Sequence, residues 1–224
     1  MELQLYDHLL RFQLFQGMSR SELLQMAGNT KFGFLKERSG TTIANAGDDC
    51  RQLFFLINGS MELTTASDDG ACRIVERLHA PWVLQPEALF GLQTRYAGTW
   101  RTASDCHFIT LSKDEVLRLL DDFLVVRLNL LNMLAALAQR RDHRFWRRPP
   151  LSLRQRFVRF VLDRCTYPAG AKTLRVLMTH LAADLGDSRL NISRMLNALQ
   201  RDGLVELHRG SIVVHSLERL LTSN

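Results

Sequence analysis

Between Met178 and Val214 the chain places Arg189, Asn191, Ser193 and Arg194 close together, a set of side chains able to recognise double-stranded DNA. An Arg can donate two parallel hydrogen bonds to guanine, an Asn can pair with the edge of adenine, and a Ser can reach a phosphate or a base edge. Other residues in the stretch indicate how these groups are held. Ala182, Gly186 and Ile192 stand where two helices meeting across a tight turn need a small residue at the crossing, a Gly able to take positive φ, and an apolar residue pointing into the angle. Leu181 and Leu185 on the first helix, with Ile192, Met195, Leu196 and Leu199 on the second, then form a shared core and leave the polar set outward. Thr179 and Ser188 complete the candidate contacts on the helices. Gly203 ends the second helix, and VELHRGSIVVH reads as a β-hairpin turning at Arg209-Gly210, a wing that brings Arg209 to the backbone. Spacing alone leaves open a plain helical hairpin whose Arg and Asn are merely solvated.

The distribution of charge bears on that choice. Residues 1–146 carry 16 basic against 17 acidic side chains, whereas residues 147–224 carry 13 against 6. The basic excess therefore lies wholly in the segment that contains the paired helices, as a polyanion-binding domain requires. Arg147-Arg148-Pro149-Pro150 marks where it begins, because a Pro pair stops a preceding helix. The expected domains are 1–112, 113–146 and 147–224.

The chain is 46% hydrophobic and 23% charged over 224 residues, the composition of a folded globular protein and not of a collagen-like, disordered or mucin-like one. No apolar run approaches the ~18 residues of a membrane span, and MELQLYDHLLRFQ mixes acids, His and Gln where a signal peptide is apolar. A cytoplasmic location without a membrane partner is expected. Cys50, Cys72, Cys106 and Cys165 form no CxxC pair and lie beside no His at zinc spacing, so they read as scattered reduced thiols and no metal site is assigned.

Residues 1–30 have helical apolar spacing, with Ser19 or Ser21 as cap and Gly28-Asn29 as end. From Lys31 to about Ser112 the pattern becomes short apolar runs between Gly-containing breaks, which predicts an antiparallel barrel or sandwich, with Asn58-Gly59 as a tight hairpin turn. Lys113 to about Arg144 lacks Pro and Gly and reads as one long helix, with Ser112 and Glu115 at capping-box spacing. Leu117, Leu120, Leu124, Leu128, Leu131, Ala135 and Ala138 form one apolar stripe; Phe123, Leu130, Leu134 and Leu137 form a neighbouring one. Such a helix cannot bury both stripes against its own small barrel, so the second is left for another copy of the chain. The candidate homodimer contacts are Phe123, Leu124, Leu128, Leu131, Leu134, Ala135 and Ala138.

DLGDSRLNISRMLNALQRDGLVELHRGSIVV resembles the winged helix-turn-helix of the CRP/FNR family of bacterial transcription regulators, whose recognition element commonly reads G-x-S-R-x-x-(I/V)-(S/G)-R-x-L-x-x-L. LFFLINGSMELT is similar to the family's F-x-x-x-x-G-x-x-x-L hairpin, and the resemblance covers nearly the whole chain. It implies an α+β fold: an N-terminal antiparallel β-roll like the cyclic-nucleotide-binding domain, a long dimerisation helix and a C-terminal winged helix-turn-helix. It further implies a homodimer on a palindromic DNA site, with RNA polymerase as a partner such a regulator can meet.

Three departures narrow that expectation. Relatives that bind cyclic AMP carry a Gly-Glu-Leu loop and a later Arg-Ser or Arg-Thr pair that holds the phosphate. Here the loop reads Gln85-Pro86-Glu87-Ala88-Leu89 and the pair falls near Tyr96-Ala97, where neither side chain is charged, although Arg95 or Arg101 could substitute after a shift in register. The oxygen-sensing branch holds iron and sulfur on N-terminal cysteines, and the first 49 residues contain none. Leu190 replaces the acidic residue many members carry after the first recognition Arg, so it can touch a thymine methyl but cannot accept from cytosine.

The cofactor is thus unassigned, with cyclic nucleotide and an N-terminal-cysteine iron-sulfur cluster both disfavoured, and no His or Cys has a context that selects haem. Glu87, Tyr96, Trp100 and Arg101 lie where the family builds its effector pocket and are the candidates for lining one. No P-loop, GxGxxG, HExxH or GxSxG motif occurs, and His79 and His107 stand singly, so no catalytic site is assigned and the chain reads as a non-enzyme. The expected function is a DNA-binding regulator controlled by a small-molecule or redox signal in the β-roll, and not by cyclic AMP. A metal-dependent or ligand-binding barrel enzyme with a C-terminal assembly domain, and an effector-independent regulator, remain as alternatives.

Overall fold

Ser19 sets the start of the second helix. Its hydroxyl accepts from the Glu22 N–H at 3.3 Å while the Glu22 carboxylate accepts from the Ser19 N–H at 2.7 Å, a reciprocal cap that satisfies two end groups. In the computed structural model, which describes residues 2–145 and 150–223, α1 (Glu2–Leu9) and a 3-10 turn at Gln13–Phe15 precede this α2 (Arg20–Asn29). The predicted strand region follows as β1 (Gly33–Glu37), β2 (Thr42–Ala44), β3 (Gln52–Asn58), β4 (Ser60–Ala66), β5 (Cys72–His79), β6 (Trp82–Val83), β7 (Thr99–Thr102) and β8 (Cys106–Ser112). Helices α3 (Lys113–Asp122), α4 (Leu124–Phe145) and α5 (Leu153–Arg164) lead to β9 (Lys172–Val176), α6 (Met178–Leu185), α7 (Arg189–Arg201), β10 (Val205–His208), β11 (Ser211–Val214) and α8 (Leu217–Thr222).

The chain divides into two units, one from residues 1–61, 79–97 and 101–146, the other from residues 62–78, 98–100 and 147–224. In the first, an antiparallel sheet runs in the order β1-β8-β3-β6. Its β3 is buried from Leu53 through Leu56, without the alternation of a one-sided strand, because both faces are covered. The Phe55 ring meets Phe12 and Phe15 at centroid distances of 5.1 and 5.5 Å, and Phe54 meets Phe108 at 6.1 Å. Asn58-Gly59 is not the predicted hairpin turn: β3 and β4 belong to different sheets, and Gly59 turns the corner between them at φ +96°. A Cβ there would fall 2.4 Å from the Asp105 carbonyl oxygen, so Gly is required by close approach as well as by φ.

The predicted long helix is two helices. Phe123, at φ −124° and ψ 105°, interrupts it. Arg127 folds back to donate from Nε to the Leu120 carbonyl at 2.6 Å and from Nη to the Asp121 carbonyl at 3.2 Å, capping the open end of α3 while α4 restarts. The Phe123 side chain is only 5% exposed, so its expected place in a dimer contact is withdrawn: it packs inside its own chain. Leu130 is buried too, and Asn129 ties α4 to the 3-10 turn through bonds to the Leu14 and Gln16 carbonyls at 3.1 and 2.8 Å. What stays exposed on α4 is the other stripe, Leu124, Leu128 and Leu131 at 63%, 49% and 56%, continued by Ala135 and Ala138. The cap at Ser112 forms only in part. Its hydroxyl accepts from the Glu115 N–H at 3.2 Å, but the Glu115 carboxylate goes to the Lys31 N–H and to Arg118.

The second unit is built on strands in the order β10-β11-β9-β5-β4-β7. The pairing of β5 with β9, in register from Cys72↔Val176 to Glu76↔Lys172, brings a segment of the predicted barrel into the unit that carries the paired helices. Cys72 and Ile74 accordingly share a core with Phe157, Leu174, Leu181, Ile192 and Leu196. At the end of this ladder Glu76 and Lys172 form a fully buried ion pair at 3.1 Å. The Glu76 carboxylate also accepts from the N–H groups of Thr166 and Tyr167 at 2.7 and 3.0 Å, and Lys172 donates to the Ala169 carbonyl at 2.7 Å. Both charges are thereby met by more than each other, as a buried pair requires.

Candidate nucleic-acid interface

Gly186 takes φ +60° and ψ 45°, and α6 ends on it. The turn it makes is fastened from a third helix: Arg156 of α5 donates to the Leu185 and Gly186 carbonyls and, at 2.6 Å, to the Asp187 carboxylate. Ser188 then caps α7, its hydroxyl accepting from the Asn191 N–H at 3.2 Å. Ala182, Leu181 and Leu185 of α6 and Ile192, Leu196 and Leu199 of α7 are buried in one core, as the helix-turn-helix spacing predicts.

Burying Ile192, Leu196 and Leu199 fixes which face of α7 turns outward. At 3.6 residues per turn, Leu190, Ser193, Arg194 and Asn197 fall within an arc of about 100° opposite the buried three. Arg194, Leu190 and Asn197 are exposed and Ser193 is half-buried, with the Asn197 amide 3.4 Å from the Ser193 hydroxyl. Arg189 and Asn191 are exposed on the two flanks of this arc, and Thr179 on α6 is exposed as well. Asn191 is held: its amide donates to the Asp187 carboxylate at 2.8 Å. Asn197 was not singled out from the sequence, although its position four residues after Ser193 places it on the same face. The wing is the antiparallel pair β10 and β11, Val205↔Val214 to His208↔Ser211, turning at Arg209-Gly210 with Gly210 at φ +76° and Arg209 exposed at the tip. The basic pair Arg147-Arg148 lies outside the described residues.

The four effector candidates divide between the units, Trp100 in the second and Glu87, Tyr96 and Arg101 in the first. Tyr96 and Trp100 are buried. Burial and a bond with the Cys50 thiol push the Tyr96 phenol far above its ordinary value, and its hydroxyl donates to the Gln52 carbonyl at 3.4 Å. Arg101 is exposed and donates to the Gly40 carbonyl at 2.7 Å. In the loop Gln85-Pro86-Glu87-Ala88-Leu89, Gln85 adopts φ 37° and its side chain accepts from the Ala97 N–H at 3.0 Å and donates to the Arg95 carbonyl at 3.4 Å. Burial likewise pushes up the thiols of Cys50, Cys72 and Cys106, so they stay protonated and poorly nucleophilic. Among the described residues no three His, Cys, Asp or Glu side chains gather as a metal site would need, and no helix is long and apolar enough to cross a membrane.

A two-helix motif with an outward polar face, an adjoining wing and a basic surround defines a winged-helix DNA-binding protein, here preceded by an antiparallel β domain. Comparison with known proteins gives the family. Residues 35–123 match the cyclic nucleotide-binding domain and residues 155–222 the Crp-like helix-turn-helix domain, in that order, and the chain belongs to the CRP/FNR family of transcription regulators. It is 25% identical over 183 residues to the cAMP-activated global transcriptional regulator Vfr of Pseudomonas aeruginosa, covering 78% of this chain and 85% of Vfr. The fold is similar to the Thermus thermophilus catabolite activator protein, with TM-score 0.54, 22% identity, and coverage of 93% of this chain and 98% of that one. It is also similar to the sensor domain of the transcriptional regulator DNR from Pseudomonas aeruginosa, with TM-score 0.53, 20% identity, and coverage of 68% and 99%. The chain is therefore a DNA-binding transcription regulator and not an enzyme.

Proposed function

We propose that this regulator acts in the cytoplasm as a homodimer on a palindromic DNA site, and that the signal it receives in the β domain is a small molecule or a redox change other than cyclic AMP. The observation that carries the DNA reading is the outward arc of α7, with Arg189 and Arg194 as base readers, Asn191, Ser193 and Asn197 beside them, Thr179 and Ser188 toward the backbone, and Arg209 on the wing. Exposed Leu190 offers a methyl-sized apolar contact to thymine. The homodimer is supported by the spacing of the uncovered stripe: Leu124, Leu128, Leu131, Ala135 and Ala138 alternate in steps of four and three, the seam of a two-helix coiled coil. Leu134, half-buried, lies at its margin. Two recognition helices on such a dimer would meet successive major grooves ~34 Å apart, and RNA polymerase would be met on the same DNA.

The case against cyclic AMP rests on the loop. The Tyr96 and Ala97 side chains carry no charge, the Ala97 N–H is already given to the Gln85 side chain, and the neighbouring Arg95 lies 3.8 Å from the Asp49 carboxylate. The effector instead is expected to meet Glu87 or Arg101 of the first unit, with Tyr96 of the same unit acting from beneath the surface. Burial pushes up the thiols of Cys50, Cys72 and Cys106, which favours a small molecule over thiol oxidation.

The test is binding of the full-length protein to its best site, selected from random duplex DNA, with and without cyclic AMP. Arg194→Ala should cost ~1–3 kcal/mol and relax preference at one position of each half-site. Parental binding by that variant would sink the base-reading assignment, and tighter binding with cyclic AMP would sink the assignment of the signal.

A further inference from the structure

Asp187 lies between Gly186 and the capping Ser188, and its two carboxylate oxygens have separate partners. Oδ1 accepts from the Asn191 side-chain amide and from the Ser188 N–H, each at 2.8 Å, while Oδ2 accepts from Arg156 at 2.6 Å. Arg156 also binds the Leu185 and Gly186 carbonyls, so the turn that carries the carboxylate is fastened from α5.

A carboxylate only accepts, whereas an amide has a donor end and an acceptor end. Facing Asp187, the Asn191 amide must turn Nδ2 inward and Oδ1 away, and one N–H of Nδ2 remains for a further partner. The outward pair is then one acceptor and one donor. Adenine offers the matching N6–H donor and N7 acceptor in the major groove, while guanine offers two acceptors, N7 and O6, and meets the Oδ1 atom with like polarity.

We propose that Asp187 is a positioning residue for sequence reading: by fixing the flip of the Asn191 amide, it makes this point of the recognition helix select adenine over guanine. The inference rests on the reading, proposed above, that Asn191 faces DNA. The Asn191 amide, then the Ser188 N–H and Arg156, hold the Asp187 carboxyl below its ordinary value, so it remains an acceptor across the neutral range. Arg156 also offsets a negative charge that would otherwise stand unpaired near the phosphates.

The full-length parent, Asp187→Asn, Asn191→Ala and Arg156→Met are compared on a random duplex library, with bound sequences read out. Asn191→Ala should lose an adenine-over-guanine preference of about tenfold at one position per half-site. Asp187→Asn should lose it at the same position, because an amide at 187 can accept or donate and leaves the flip undetermined. Arg156→Met, which loosens the turn but keeps the acceptor, should lower Tm and retain the preference. If Asp187→Asn keeps the preference that Asn191→Ala removes, the inference fails while DNA reading by Asn191 stands. If Asn191→Ala changes no position, Asn191 reads no base and both fail. If Arg156→Met erases the preference as fully as Asp187→Asn, the integrity of the turn sets it and the role of Asp187 is overturned. Independently of any DNA site, the side-chain NH2 resonances of Asn191 should shift in Asp187→Asn. Resonances unchanged from the parent would overturn the contact on which the inference depends.

Discussion

Protonating Asp187 would remove the acceptor on which Asn191, Ser188 and Arg156 converge. Its folded-state pKa is depressed, so its contribution to stability is fully present above the ordinary aspartate value and is lost as pH falls through the lower folded value. Protection of the first-turn amides of α7, taken as their exchange rate relative to the unfolded chain at the same pH, is accordingly expected to fall on acidification below about pH 4, and Asp187→Asn should already show that lower protection at neutral pH, with a flatter response to acid. Gly186 is a second residue whose role is local. A Cβ there would meet only Arg156, at an ordinary 3.7 Å, so Gly186→Ala should cost about 1–2 kcal/mol through the positive φ alone, visible as a lower Tm. Arg189, Asn191 and Arg194 were legible in the sequence because helical period and the apolar positions 192, 196 and 199 fix their direction. Asp187 was not singled out as a partner of Asn191, because it precedes the Ser188 cap and lies outside the helical register that directs the other side chains.

The helix α4 presents an apolar stripe, Leu124, Leu128 and Leu131, that stays exposed among the described residues. Leu128→Asp, at an exposed position, should leave monomer stability within about 0.5 kcal/mol yet weaken self-association by about a hundredfold, measured by sedimentation. If the variant associates as the parent does, this face is not the dimer contact. The sequence pointed to an apolar helix with more surface than its barrel could bury, but not to the break at Phe123. No Gly or Pro marks that break; it is imposed by packing of the Phe123 ring and by Arg127 capping the carbonyls of Leu120 and Asp121. The strand β9 was likewise passed over. Lys172-Thr173-Leu174-Arg175-Val176 buries alternate residues, but a Lys at a buried position masks the pattern until Glu76 is seen beside it.

Across the second unit, the ion pair of Glu76 and Lys172 is the contact with most at stake. Glu76→Ala would leave a buried ammonium with only the Ala169 carbonyl and the Tyr167 ring, its counter-ion gone, and remove the acceptor of the Thr166 and Tyr167 N–H groups, so about 3–5 kcal/mol of stability should be lost in urea unfolding. Lys172→Met should cost less, because Glu76 keeps both backbone donors. Charge and the Pro pair point to a boundary near residue 147 on local grounds alone. What composition could not reveal is that residues 62–78 and 98–100 group with the C-terminal side, because strand pairing between positions about 100 apart leaves no local trace. The DNA-reading half is for that reason not a portable module. A fragment beginning at Pro150 would lack Cys72 and Ile74 and offer β9 as a bare sheet edge, inviting fibrous self-association. A chimera that exchanged only the C-terminal half with a relative would carry Lys172 to a host without its counter-ion, unless residues 72–76 were transplanted with it.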